Sequence, residues 1–452
     1  MLARIDTNGQ VIDIHYYPDT LGDHFVQVLN YGIVKDDQNN YLMMGTLYER
    51  NTGVLIKTDK DGNLIFYKEC SLGNDLTYRP RGILELADGY MIVGYKTRSN
   101  YHPDAHMMKI NKSGEIVWEK FYGDWELDET AASLVIVDSN HFVVGGSSSN
   151  FTSVPNMTQA HARSKFWFLD SLGNLQSEWQ SFLNTESGVF GLQHLPDGGW
   201  LYCTRTFLAF GPQDWGGLCK IVRRDSNMNL VWQRTLMPQP ILTWEANNLW
   251  DIKPTADGNW VAVGHWVPYY SENPDSLSWQ GGFLHKFSPE GDSIWTVLDT
   301  AFSHPVWGLE NKLGGAAVLP SGGTVAVGYA NSFDGENFKS WAWVLKVDKD
   351  GCVDTMCTVV SSGEAPPVPE LTEVRVFPNP TSDWVRFQWL APISGGVLTI
   401  ADATGQVLLR SKLQTGQTAF DWSTREIPSG VYFYHWQTSK GAVSSGKIFV
   451  SH

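Results

Sequence analysis

Residues 56–66 read IKTDKDGNLIF, and this stretch decides the fold because close variants of it recur along the chain. Each copy has alternating apolar residues, then a turn of the form Asp-x-x-Gly, then a short apolar segment that often ends in Trp. An Asp side chain caps such a turn and Gly supplies its positive φ, so each copy predicts a β-hairpin. The position of the turn glycine recurs every 52 to 63 residues, and Met228 replaces the glycine in one copy. The residues at this position are Gly9, Gly62, Gly114, Gly173, Met228, Gly291 and Gly351.

A second hairpin pattern lies between the copies of the first. It runs from a turn rich in Asp, Asn and Gly into an apolar segment that closes at Gly45, Gly94, Gly145, Thr204, Gly264 and Gly328. Two hairpins per period predict a four-stranded unit, which must stack on its neighbours to bury its faces. No 3.6-residue apolar period is sustained, which excludes a helical solenoid.

We therefore predict an all-β chain whose residues 1–357 form a β-propeller of six or seven four-stranded blades. The chain opens within the second half of a blade. We expect the natural start to lie upstream of Met1; the alternative is that Met1 is genuine and the half blade caps a six-bladed ring.

Composition excludes several classes of protein. The chain has 452 residues and a net charge of −15, so its surface repels a phosphate backbone and a nucleic-acid partner is not expected. No run of 18 apolar residues occurs, so we expect no transmembrane helix. No HExxH, GxSxG, Walker A or dinucleotide motif appears, and the histidines show no ligand spacing. We assign no catalytic residue, metal or cofactor.

The five cysteines do not form a disulfide scaffold, because their number is odd in a chain of this size. Cys352 and Cys357 are close enough in sequence to form a local disulfide in an exported protein. Two free thiols are the alternative.

The C-terminal segment, residues 371–452, follows a Pro- and Ser-rich linker at 358–370 and carries three ordered motifs. They are VRVFPNPTSDW, LTIADATGQVLL and IPSGVYFYHW. The segment resembles the C-terminal sorting domain of type IX secretion cargo, found in one Gram-negative bacterial phylum. The resemblance rests on Pro378, Asn379, Pro380, Asp383, Asp402, Gly405, Gly430, Tyr432 and Lys447.

This resemblance implies export through the type IX machinery, which would contact residues 371–452, and a location outside the cell or on the outer-membrane surface. Period-two segments in the tail independently predict a small Ig-like β-sandwich. Cargo of this kind also needs an N-terminal export signal. Residues 1–30 contain none, which again leads us to expect an upstream segment.

Two sites in the propeller are candidates for function. Asp251 stands where other blades have small residues, and with Glu245 and Glu310 it could place carboxylates in the central channel, as a hydrolase or lyase requires. The alternative is a channel carboxylate that only binds water. Long loops at 205–217 and 265–282 carry the second site, whose aromatic residues suit a neutral glycan or a peptide: Trp215, Trp266, Tyr269, Tyr270 and Trp279.

The function that we predict is binding or adhesion by an exported propeller. A polysaccharide-active hydrolase or lyase is the alternative. The loop aromatics could also simply pack on their own blades.

Overall fold

The computed structural model describes residues 2–6, 11–15, 17, 25–26, 32–47, 52–70, 77–97, 102–124, 127–149, 162–182, 186–209, 215–236, 247–266, 281–301, 311–333, 338–353, 374–389, 393–402, 406–438 and 441–452. The chain divides into two compact units, residues 1–357 and 358–452. The predicted linker lies outside the described residues. All regular elements within the described ranges are β-strands, as predicted, and none of these ranges contains a helix that could cross a membrane.

The first unit consists of antiparallel sheets built from strands consecutive in the chain. An N-terminal hairpin comprises β1 (Leu2–Ile5) and β2 (Val11–His15). The sheet after it comprises β3 (Phe25–Val26), β4 (Ile33–Lys35), β5 (Tyr41–Leu47), β6 (Thr52–Thr58) and β7 (Leu64–Glu69).

Four four-stranded sheets follow. They are β8 (Thr77–Leu86), β9 (Gly89–Thr97), β10 (Pro103–Asn111) and β11 (Ile116–Tyr122); β12 (Asp128–Asp138), β13 (His141–Ser149), β14 (Ala162–Asp170) and β15 (Leu175–Gln180); β16 (Ser187–His194), β17 (Trp200–Ala209), β18 (Trp215–Arg224) and β19 (Leu230–Leu236); β20 (Asn248–Pro254), β21 (Trp260–Trp266), β22 (Gly281–Phe287) and β23 (Ser293–Asp299). The last sheet of the unit has three described strands, β24 (Asn311–Val318), β25 (Thr324–Phe333) and β26 (Phe338–Val347).

These sheets are the blades of a β-propeller. The first strands of consecutive sheets contact one another, from β8 through β12, β16 and β20 to β24, so they form the inner ring around the axis. Buried apolar residues fill the spaces between adjacent blades; Leu249 and Phe283 of one blade, for example, pack with Cys203 and Ile221 of the preceding one.

The outer hairpin of each blade turns as the sequence predicts. In the blade of β5–β7, the Asp59 carboxylate accepts hydrogen bonds from the backbone N–H groups of Asp61 and Asn63 at 2.8 and 2.9 Å. Gly62 has a φ of 87°. Met228, which replaces the turn glycine in one copy, also has a positive φ, of 65°. This copy therefore keeps the positive φ of the turn although it lacks the glycine.

A lysine or arginine two residues before the turn joins the two hairpins of several blades. Lys57 pairs with Asp36 at 3.1 Å, and both side chains are buried. The equivalent pairs are Lys109–Asp88 at 2.8 Å, Arg223–Asp197 at 2.5 Å and Lys286–Asp257 at 2.6 Å. The two turns of a blade thus lie on one face of the propeller.

The second unit is a small Ig-like β-sandwich. One sheet has the order β27 (Val374–Phe377), β28 (Trp384–Trp389), β31 (Ala419–Ser423), and the other has the order β30 (Val407–Thr415), β29 (Ser394–Asp402), β32 (Gly430–Thr438), β33 (Gly441–Val450). Trp389 and Trp436 face each other across the sandwich with ring centroids 5.3 Å apart, which gives this unit a core of its own.

Candidate functional site

The inner strands of the propeller carry a β-bulge at the same place in four blades. The register of β8 shifts between Pro80 and Gly82, and β12, β20 and β24 shift at the equivalent positions. A bulge adds one residue that has no partner in the ladder and re-aims its side chain. The residues inserted in this way are Arg81, Ala132, Trp250 and Gly314.

Trp250 is the aromatic member of this set, and its neighbours fix its orientation. Its indole Nε1 donates a hydrogen bond of 3.1 Å to Nδ1 of His265 on the adjacent strand β21. Its ring meets Phe190 of the preceding blade edge to face, with centroids 5.2 Å apart. Both rings are half-buried, so each keeps part of its apolar surface accessible.

His265 lies between the indole of Trp250 and the side chain of Asn248. An indole N–H can only donate, so Nδ1 of His265 is the acceptor of this hydrogen bond. His265 is buried, and the side-chain nitrogen Nδ2 of Asn248 lies 3.4 Å from its Nε2. An imidazole and an amide therefore lie next to the aromatic pair.

Arg205 joins the same cluster from the blade of β16–β19. It pairs with Ser187, which opens the inner strand β16, and its Nη1 donates a hydrogen bond of 3.2 Å to Oδ1 of Asn248 in the next blade. Burial and the positive charge of Arg81 lower the pKa of the Arg205 guanidinium to about 10. The blade of β12–β15 lies between the blades of Arg81 and Arg205.

The predicted channel carboxylate Asp251 has a different environment from the one expected of a catalytic acid. Its side chain is buried, forms an ion pair of 3.2 Å with Lys253, and accepts a hydrogen bond of 3.3 Å from the backbone N–H of Ala316. Asp251 thus connects two neighbouring inner strands. Glu245 and Glu310 lie outside the described residues, and the paired-carboxylate hypothesis stays a prediction.

The predicted loop aromatics are only partly within the described structure. Trp266 ends β21 half-buried and packs against the apolar core between two blades. The backbone of Trp215 begins β18 and pairs with Ala209. Tyr269, Tyr270 and Trp279 lie outside the described residues, so a joint aromatic site remains a prediction.

In the second unit, the Pro378-Asn379-Pro380 turn holds the last strand of the chain. The Asn379 side chain donates a hydrogen bond of 2.8 Å to the backbone oxygen of Lys447 and accepts one of 2.7 Å from the backbone N–H of Phe449. Its amide thereby pairs with β33 as a neighbouring strand would.

The other motif residues of this unit also have structural partners. The Asp402 carboxylate caps its turn by accepting a hydrogen bond of 3.0 Å from the N–H of Gln406, while Gly405 lies outside the described residues. The Tyr432 hydroxyl donates a hydrogen bond of 2.7 Å to the backbone oxygen of Pro428. Pro428 lies two residues before Gly430, the first residue of β32. The backbone oxygen of Asp383 accepts a hydrogen bond of 2.9 Å from the backbone N–H of Thr424. These contacts shape the edge and corners of the sandwich.

Cysteines and metal-binding groups add no further site. Cys352 is disulfide-bonded, whereas Cys70, Cys203 and Cys219 are free. Cys357 lies outside the described residues, so its pairing with Cys352 stays a prediction. Within the described ranges, no three His, Cys, Asp or Glu side chains are grouped so that they could hold a metal ion.

Comparison with known proteins identifies the second unit. Residues 375–451 match the family described as "Secretion system C-terminal sorting domain". The chain is therefore a cargo of type IX secretion, and export delivers it to the cell surface or the extracellular space. No curated protein sequence matches the chain.

Solved structures resemble the chain only distantly. An α-L-arabinofuranosidase from Fusarium graminearum has 11% identity and a TM-score of 0.42, over 73% of this chain and 95% of that one. A sialidase from Trypanosoma rangeli has 9% identity and a TM-score of 0.41, over 98% and 86%. A polysaccharide lyase has 8% identity and a TM-score of 0.42, over 90% and 93%. At these scores the likenesses carry no argument about this chain.

Sequence reasoning did not identify Arg205, Trp250 and His265 as a group. One signal was available: Trp250 directly precedes Asp251, one of the aligned inner-strand positions.

Proposed function

We propose that this protein is a binding module of the cell surface, whose propeller recognises a glycan where the channel opens toward the long loops. The observation that carries the proposal is the cluster of Phe190, Trp250, Arg205, Asn248 and His265. It combines partly exposed aromatic faces with oriented hydrogen-bonding groups. Sugar rings stack on such faces, while the polar groups select the hydroxyl pattern.

Trp266, Trp215, Tyr269, Tyr270 and Trp279 would extend this contact along the long loops. In our proposal the tail retains the protein at the outer-membrane surface of a Gram-negative bacterium. The sequence favoured a neutral glycan or a peptide as ligand, on the grounds of the net charge of −15.

A glycan array probed with the full chain tests the binding function. Trp250→Ala should abolish or strongly weaken every specific signal, because it removes one aromatic face and the hydrogen bond to His265. Trp384→Ala is the matched control, since Trp384 is an exposed tryptophan of the other unit. Absence of any glycan signal, or equal signals for the two variants, would refute the proposal. Release of shorter oligosaccharides from a bound glycan would instead favour the hydrolase or lyase alternative.

Deletion of residues 371–452 tests the export part. The propeller unit should then remain in the periplasm, because the sorting domain that the type IX machinery recognises is missing. Detection of the truncated protein on the cell surface would show that export does not depend on this domain.

A further inference from the structure

A cavity of about 360 Å³ lies between two blades, on the face of the propeller that carries the turns. Two charged residues line it, Asp197 and Arg223, and both belong to the blade of β16–β19. The other lining residues are apolar or have no side chain: Leu195, Pro196, Leu201, Gly258, Trp260 and Pro289. The volume suits a small molecule. The cavity shares no residue with the cluster around Trp250, so it is a separate site.

The cavity lies at a place where other neighbouring blades are joined. In three cases the basic residue two places before the outer turn donates a hydrogen bond to a backbone oxygen in the outer turn of the next blade. These hydrogen bonds run from Arg4 to Lys60 at 3.4 Å, and from Lys57 to Lys112 and from Lys286 to Lys349 at 3.1 Å. Arg223 is the equivalent residue, but it donates at 2.5 Å to Asp197 of its own blade. The space between Arg223 and Pro289 of the next blade therefore stays open.

The walls of the cavity favour a ligand with an apolar body. One blade contributes Leu195 and Leu201, and the next contributes Pro289 and the half-buried indole of Trp260. A Cβ atom on Gly258 would meet nothing within 4 Å, so the space beside this turn is also open. A sugar ring against such walls would leave hydroxyl groups without hydrogen-bond partners, at a cost in free energy. A hydrocarbon or aromatic group gains from the same surroundings.

Opposite charges lie side by side at the edge of this apolar space. The side chains of Asp197 and Arg223 are 54% and 27% exposed, so a ligand can reach both. The backbone N–H of Gly199 donates a hydrogen bond of 3.0 Å to the Asp197 carboxylate. This hydrogen bond and the charge of Arg223 lower the pKa of Asp197, which keeps the carboxylate ionised. Arg223 binds Asp197 through Nη2, and its guanidinium has further N–H groups for a second carboxylate.

We propose that this cavity binds an apolar α-amino acid in its zwitterionic form. The α-carboxylate of the ligand pairs with Arg223, its α-ammonium group pairs with Asp197, and its side chain fills the space beside Trp260. A single carbon atom separates the two charged groups of an α-amino acid, so they are adjacent, as the charges of the protein are. A guanidinium group also matches the paired oxygens of a carboxylate. This site goes beyond the proposed glycan-binding function and does not depend on it.

Titration calorimetry with the full chain tests this site. The probes are L-leucine, L-phenylalanine and L-tryptophan, the N-acetyl amides of the same three amino acids, and L-serine. At least one apolar amino acid should bind tenfold or more tightly than serine, because its side chain is removed from water. Its N-acetyl amide should bind at least tenfold more weakly than the free amino acid, because it carries neither charge.

Arg223→Gln and Asp197→Asn should each weaken binding of that amino acid about 10- to 100-fold, which corresponds to the loss of one charge-assisted hydrogen bond. Lys109→Gln and Asp88→Asn are the matched controls, since Lys109 and Asp88 form the equivalent ion pair in the blade of β8–β11. Both controls should bind the amino acid as the unaltered protein does. Circular dichroism verifies that each variant is folded.

Three results would overturn the assignment. The first is that none of the apolar amino acids binds. The second is equal binding of the free amino acids and their N-acetyl amides, which would show that the cavity takes the side chain of a polypeptide. The third is an equal effect of the site variants and the controls, which would show a nonspecific charge effect. The glycan-binding function is tested separately, with a different ligand and with Trp250→Ala.

Discussion

The indole ring of Trp118 occupies the space beside Gly173 in the next blade, so that a Cβ atom on this glycine would lie only 2.7 Å from Cη2 of the ring. Trp118 belongs to the outer strand β11, and Gly173 to the outer turn of the following blade. The same relation recurs around the propeller, in the pairs Phe66–Gly114, Trp232–Gly291 and Trp295–Gly351.

Hydrogen bonds reinforce this contact in two blades. The indole Nε1 of Trp232 donates a hydrogen bond to the backbone oxygen of Pro289. The indole Nε1 of Trp295 donates one to the backbone oxygen of Lys349. Both hydrogen bonds are 3.1 Å long. The turn glycine therefore serves two purposes: it permits the turn, and it admits an aromatic ring from the preceding blade.

Gly173→Ala should destabilise the propeller more than Gly258→Ala. Both glycines have positive φ, 72° and 81°, so alanine costs about 1 kcal/mol of backbone strain at either place. A Cβ atom at Gly258 meets nothing within 4 Å, whereas at Gly173 it must displace Trp118. Chemical denaturation measures the difference. Equal losses of unfolding free energy would show that the ring contact contributes nothing.

Glu186→Gln should destabilise the propeller by about 3 kcal/mol, because it leaves a buried cation without its counter-charge. The Glu186 carboxylate pairs with Arg224 and accepts a hydrogen bond of 2.6 Å from Tyr202. Asp350→Asn is the control, since Asp350 pairs with Lys349 where both side chains are over a third exposed, and such pairs contribute little. Unfolding in urea compares the two, and similar losses would contradict the prediction.

Acidification should weaken the propeller through His285. Burial lowers the pKa of His285 to about 4 from an ordinary value of 6.5. Between pH 6.5 and pH 4 this histidine is protonated in the unfolded chain but remains neutral in the folded protein. The contribution of His285 to the unfolding free energy is therefore complete above pH 6.5. It falls by up to about 3 kcal/mol as the pH approaches 4.

His285→Gln should flatten the pH dependence of the unfolding free energy in that window, and glutamine keeps a partner for the hydroxyl of Thr296. His141→Gln, at an exposed position, should leave the slope unchanged. An unchanged slope in His285→Gln would assign the acid sensitivity to other groups.

Asn379→Ala should loosen the last strand of the sorting domain, because it removes both side-chain hydrogen bonds to β33. We expect a loss of about 1–3 kcal/mol in this unit, with faster hydrogen exchange at the Phe449 amide, whose hydrogen bond ends on Asn379. Gln388→Ala, which shortens an exposed side chain on β28, is the control. Unaltered exchange at Phe449 would show that Asn379 does not hold the strand.

The sequence by itself determined the hairpins, the all-β class and the sorting domain. Each outer turn closes between residues at most four apart, as Asp59 does with Asn63, so the information lies within one short segment. The spacing of these segments then requires stacked four-stranded units, since none can bury its faces alone. Ordered short motifs likewise identified the tail.

Only the tertiary structure decided which residues share a site. Asn379 and Phe449 are 70 residues apart and meet because the turn folds against the last strand. Asp251, expected in the open channel, proved to join two inner strands. Trp250 meets Phe190 of the preceding blade because a bulge re-aims its side chain and because the inner strands of these two blades lie against one another. A bulge depends on the pairing of two strands, so the local pattern that predicts a hairpin does not specify it.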